Sequence, residues 1–147
     1  MHHWGIIMTQ YTVEEMMKAF AKDAVEFGQE YDKNLDYSED SVKEIDNILE
    51  MVHRSLPIDF KTKIVNPGPS EQKLATISKI YGAYIGEVIQ KHYGGKWSIE
   101  MNTIIFTMGE TKLFLPAKVY QRIKNGSEEN VWYYYQLLKQ DFEESGV

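Results

Sequence analysis

Among the internal side chains only His53 and His92 ordinarily change charge near neutral pH, so acid–base chemistry in this chain would begin with them. Neither lies in a pattern that sets a base against a nucleophile. The sequence holds no Gly-x-Ser-x-Gly elbow, no phosphate-binding Walker loop, no dinucleotide fingerprint and no His-Glu-x-x-His pair. Both histidines fall near the C-terminal ends of expected helices, where a partial positive charge suits the helix dipole, and structural roles are expected for both. The competing reading joins them to Asp36 or Glu87 as a metal site, because distance in space does not follow from distance in sequence. No catalytic residue, metal or cofactor is assigned on this basis. The absence of cysteine removes disulfides, thiolate metal sites and thiol nucleophiles together, and it fits a reducing, cytoplasmic setting.

The cations offer a second chemistry. Lys118 and Arg122 are one helical turn apart, with Lys112 before them and Lys124 after, a set able to grip phosphate or carboxylate groups. The charge is unevenly spread: residues 1–60 carry 13 acids and 5 bases, residues 61–126 carry 4 acids and 10 bases, and residues 127–147 carry 5 acids and 1 base. A basic centre between acidic ends would suit nucleic acid or an acidic partner. The favoured expectation is that these bases lie against the chain's own acids, since a net charge of −6 and the lack of a recognised motif both argue against nucleic acid. Glu87 and Lys91 read as an exposed pair one turn apart.

The aromatic run Trp132-Tyr133-Tyr134-Tyr135 offers a third. On a helix it sweeps through roughly 300°, so one packed face cannot bury it all. Trp132, Tyr133 and Leu137 are therefore the candidate surface for a protein partner or for self-association.

These residues need elements to position them. Thr12 and Glu15 form a capping box for a helix over residues 13–31, with Val13, Met16, Met17, Phe20, Ala24 and Phe27 at helical spacing. Ser38 is the expected N-cap of a second helix, residues 39–55. Residues 56–69, with three of the four prolines, read as a loop. Ser70 caps a third helix over residues 71–93, stopped by Gly94-Gly95. Its stripe of Leu74, Ile77, Tyr81, Tyr84, Ile85, Val88, Ile89 and His92 makes it the expected central helix. Gly82 and Gly86, four apart in its interior, each cost about 1 kcal/mol against alanine, which implies a close neighbour. Period-two alternation after Gly95 predicts a three-stranded antiparallel meander, followed by a short helix opening at Pro116 and a last helix over residues 128–143 capped by Ser127.

At 147 residues the chain fits one domain able to bury roughly 70% of its unfolded surface. The reading is a single α+β domain over residues 12–147, helical with a small three-stranded antiparallel sheet, behind a disordered tail at residues 1–11. Met1-His2-His3 is a tag-like terminus that would suit a square-planar copper or nickel ion, with Met8 as the alternative start. The most apolar stretch, residues 77–89, contains Lys79 and Glu87 and is too short to span a membrane.

Three pieces also carry a likeness: Leu35-Asp36-Tyr37-Ser38 opening a helix, Gly82-Ala83-Tyr84-Ile85-Gly86-Glu87 followed by Gly94-Gly95-Lys96-Trp97, and Leu115-Pro116 leading to Arg122 and Asn125-Gly126. Across about residues 35–138 the chain resembles a family of uncharacterised bacterial domains of unknown function. That resemblance implies a small α+β fold and a bacterial origin, and it carries over no catalytic residues. By analogy alone, small acidic domains of this kind are similar to immunity proteins that neutralise toxins. The functional expectation is a cytoplasmic protein-binding module, neutralising or regulatory, that captures a basic protein on its acidic surface. The alternatives are a small-molecule binder or enzyme with a pocket between the helix at 71–93 and the sheet near Tyr84, His92 and Trp97, and nucleic-acid binding through Lys112, Lys118, Arg122 and Lys124.

Overall fold

A computed structural model describes residues 11–145. The chelating terminus, the alternative start at Met8 and all of the expected tail but Tyr11 lie outside the described residues. The fold is α+β, with helices α1 (Val13–Glu30), α2 (Ser41–Arg54), α3 (Phe60–Val65), α4 (Glu71–Tyr93), α5 (Leu115–Asn125) and α6 (Val131–Ser145). Strands β1 (Lys96–Glu100), β2 (Thr103–Met108) and β3 (Thr111–Leu113) sit between α4 and α5 as an antiparallel meander in the order β1-β2-β3.

Helix α4 is the hub. It packs against α1 on one side and α5 on another, and it is buried on every side from Ile80 to Ile89, well beyond the single stripe expected. The small side chains explain how a helix can be covered all round. A Cβ on Gly82 would come within 2.7 Å of the Pro116 backbone nitrogen, and one on Gly86 would collide with the Trp97 ring. Each glycine thus admits a neighbour that alanine would exclude: the start of α5 at one position, the first strand at the other.

Trp97 is the wedge that joins sheet to helix. Its ring packs edge-on against Phe106, its register partner on β2, and its indole N–H donates to Glu87 at 2.9 Å. Glu87 is consequently buried, not the exposed partner of Lys91 that helical spacing suggests, and its other oxygen accepts from Lys18 of α1 at 3.0 Å. Met101 and Asn102 both adopt positive φ, 51° and 62°, the geometry of a two-residue hairpin turn between β1 and β2.

Several boundaries differ from expectation for long-range reasons. Residues 56–69 are not all loop: Asp59 accepts the Thr62 N–H at 2.7 Å and starts α3. The second helix begins at Ser41, after a turn in which Ser38 Oγ still accepts the Ser41 N–H. The last helix begins at Val131, after a 3-10 turn at Ser127–Glu129, and Asn130 rather than Ser127 caps it through the Tyr133 N–H at 2.8 Å. Asp46 of α2 sets that start. Its Oδ1 accepts from the Val131 N–H at 2.8 Å and from Arg122 Nε at 2.9 Å, and its Oδ2 accepts from Asn130 Nδ2 at 2.9 Å. Arg122 also reaches Glu50 at 2.9 Å, so one buried ion network binds α2, α5 and α6. Burial opposes the Arg122 charge, and the Asp46 and Glu50 carboxylates more than offset it, holding the guanidinium protonated above its ordinary range.

Candidate functional site

The segment joining α2 to α4 departs most from ordinary surface composition. Pro57, Pro67 and Pro69 deny it backbone donors, and Gly68 turns at φ 69°, where a side chain would press within 2.9 Å of the Ser55 carbonyl. The chain therefore stands away from the body, and none of the six residues of α3 is buried. Ile58, Phe60, Ile64 and Val65 are 89%, 78%, 70% and 84% exposed. Scattered single exposures are common on proteins, but four large apolar residues on one short segment form a patch that marks interaction surfaces. Beside it runs a groove of about 1070 Å³, floored by Leu56 and Leu74 and walled by His53, Phe60, Lys63 and Lys124.

The groove's charged lining is Arg54, Lys63 and Lys124 against Asp59 and Glu71, one more base than acid. Asp59 is used as the α3 cap, and that backbone hydrogen bond with Thr62 holds its carboxyl below the usual range. Glu71 accepts from Lys124 at 2.8 Å and from the Tyr120 hydroxyl at 2.6 Å, and it too is lowered, chiefly by Lys124. His53 Nδ1–H donates to the Ile123 carbonyl at 2.6 Å, with its ring against Gly126. In contrast, Lys63 in the lining, and Lys61 and Lys73 outside it, form no ion pair among the described residues.

The expected anion-binding set is distributed among local acids. Lys112 pairs with Glu100 at 2.9 Å, Lys118 with Glu129 at 2.7 Å, Arg122 with Asp46 and Glu50, and Lys124 with Glu71. Arg122 is in the core, so the four do not converge on one surface. Nor does a pocket open between α4 and the sheet: the Trp97 ring occupies that space against Gly86, and Tyr84 and Trp97 are both buried.

Tyr84 and His92 instead serve the backbone of Tyr37, which has a positive φ of 64°. The Tyr84 hydroxyl accepts the Tyr37 N–H and lies 2.7 Å from Ser41 Oγ, His92 Nε2 donates to the Tyr37 carbonyl at 3.1 Å, and the two tyrosine rings stack. Ser41 already donates to Ser38, so the Tyr84 hydroxyl is the donor between them. His53 and His92 thus bind separate carbonyls, and among the described residues no group of three or more His, Asp or Glu side chains is arranged to hold a metal.

On α6 the aromatic run divides as its helical sweep implies. Tyr135 is buried, Trp132 stacks parallel to it at 6.2 Å and is half-buried, while Tyr133 is 62% and Leu137 44% exposed. Below Tyr135, its hydroxyl and that of Tyr93 both donate to Glu39, at 2.6 and 3.1 Å. Burial alone would raise the Glu39 carboxyl, but these two hydroxyls and Lys139 hold it below 4.5. A depressed folded value means the stabilisation is complete above pH 4.5 and is lost as pH falls through the lower folded value. Thermal melts across that acid range are expected to show Glu39→Gln less stable at neutral pH but losing less on acidification than wild type. Parallel curves would show that Glu39 contributes nothing to acid sensitivity. Burial, and after it the same contact with Glu39, pushes the Tyr93 phenol up to about 12.

The α3 patch itself went unassigned in the sequence, although a proline-rich loop carrying Ile58, Phe60, Ile64 and Val65 was a signal, since a solvated loop has no use for four large apolar side chains. Among the described residues no helix is long and apolar enough to cross a membrane. Comparison with protein-family models, curated proteins and solved structures gives no match to this chain.

Proposed function

We propose that this chain is a non-catalytic protein-binding module of bacterial origin, akin to the uncharacterised bacterial domains it resembles, working in the cytoplasm in a neutralising or regulatory role. One observation carries the reading: the exposed apolar patch of Ile58, Phe60, Ile64 and Val65 beside a groove large enough for a peptide segment. The lack of cysteine supports a reducing compartment. Tyr133 and Leu137, one turn apart on α6, offer a second and smaller contact patch.

A photo-crosslinking residue at Phe60, in cells of the native host, tests this directly. A discrete protein adduct is expected from Phe60 and none from an identical label at exposed Lys43 on α2. No adduct at Phe60, or the same adducts from both positions, would end the reading. The paired substitution Phe60→Ser and Ile64→Ser is expected to abolish binding while changing stability by no more than about 0.5 kcal/mol, because neither side chain is buried.

A further inference from the structure

The groove beside α3 has a net character opposite to that of the whole protein. The chain carries −6, which by itself suggests a basic partner. Contact electrostatics are local, however, because charges are screened beyond a Debye length of about 8 Å at physiological ionic strength. What matters at the groove is which charges are free there. The lining carries Arg54, Lys63 and Lys124 against Asp59 and Glu71; Glu71 is paired with Lys124 and Arg54 with Glu50, whereas Lys63 in the lining and Lys61 beside it on α3 have no ion-pair partner among the described residues. We infer that the groove takes an acidic amphipathic segment of another protein, its apolar side chains set against Phe60 in the groove and Ile64 on the exposed helix beside it, and its carboxylates facing Lys63 in the groove and Lys61 on the same helix.

This assignment of partner chemistry rests on the protein-binding reading above. Two alternatives fit the same residues less well. A second copy docking on α3 about a two-fold axis would set Lys61 and Lys63 against their own counterparts, and like charges across an interface are costly. Size argues the same way: stable interfaces bury roughly 800 Å² per partner, more than one six-residue helix offers by flat contact, whereas a segment entering the groove also covers its floor and walls. A flat lipid surface would meet the exposed apolar residues of α3 but would leave the concave groove beside them unfilled.

The test uses the full chain and fluorescein-labelled peptides read by anisotropy. One peptide is Glu-rich with leucines at i, i+4 and i+7; its twin has every Glu replaced by Lys. The Glu peptide is expected to bind and to weaken with added salt, and the Lys peptide to bind at least about tenfold more weakly. Phe60→Ser with Ile64→Ser should remove binding, while Lys61→Glu with Lys63→Glu should invert the preference between the two peptides. All four positions are exposed, so circular dichroism should match wild type.

Equal or tighter binding of the Lys peptide overturns the inference, as does charge reversal that leaves the preference unchanged. Retention on phosphatidylserine–phosphatidylcholine vesicles without peptide binding overturns it in favour of a lipid face. A concentration-dependent dimer abolished by Phe60→Ser overturns it in favour of self-association. If the crosslink at Phe60 captures a protein while neither peptide binds, only the charge assignment falls; if both experiments are blank, the protein-binding reading falls with it.

Discussion

Arg122→Met is expected to destabilise the fold by about 3–5 kcal/mol, the usual consequence of leaving one partner of a buried ion pair alone. Asp46 would keep the Asn130 and Val131 donors and lose both guanidinium contacts, while Glu50 would still hold Arg54. The guanidinium leaves its own Nη1 buried and without a hydrogen-bond partner among the described residues, so the network already carries a cost that an apolar replacement avoids. The double variant Asp46→Leu with Arg122→Met should therefore lose much less than the sum of the single losses. It should not return to wild type, because Asp46 also receives the first N–H of α6. Equilibrium urea denaturation measures all three. A loss below about 1 kcal/mol for Arg122→Met would show that the contacts at Asp46 do not hold α5 to α2.

Gly86→Ala and Gly82→Ala are expected to destabilise, although alanine for glycine in an open helix gains about 1 kcal/mol. The Trp97 ring in contact with Gly86 is fixed on two sides, by Phe106 and by its hydrogen bond to Glu87, so it has no easy retreat. At Gly82 the obstacle is the Leu115–Pro116 backbone, which moves only if the start of α5 moves. Overpacking of this kind costs about 1–3 kcal/mol, enough to reverse the propensity gain at either site. Differential scanning calorimetry should show a lower Tm for both. Gly86→Ala combined with Trp97→Phe should be less destabilised than the two changes added together, since a smaller ring vacates part of the space. A higher Tm for Gly86→Ala alone would mean that Trp97 does not wedge the sheet onto α4.

Local signals made most of the fold legible. The Thr12–Glu15 capping box, Ser70 before α4, Gly94-Gly95 after it and the change of period into β1 are all written within a few residues of the feature they produce, and the elements stand where those signals put them. The failures share one cause. Glu87 reads as a surface residue because Lys91 is one turn away, yet Trp97 and Lys18 take it into the core; Asn130 displaces Ser127 as a cap because Asp46 is waiting far back in the sequence. Tyr84 and Trp97 have the chemistry of a ligand site, yet each holds another part of the chain. Helix α3, as distinct from its apolar residues, is illegible for a different reason: Thr62, Ile64 and Val65 are poor helix formers, so only the Asp59 cap marks it.

Asp46 gathers donors that follow it in the chain by 76 to 85 residues. A ribosome adding 5–20 residues each second would need about 4–17 s to deliver them, and over that interval the carboxylate has only water for company. The network around Asp46 thus closes only after the first residue of α6 has been made. A chain stopped upstream of Arg122 would leave the Asp46 charge on the inward face of α2 with none of these donors to meet it.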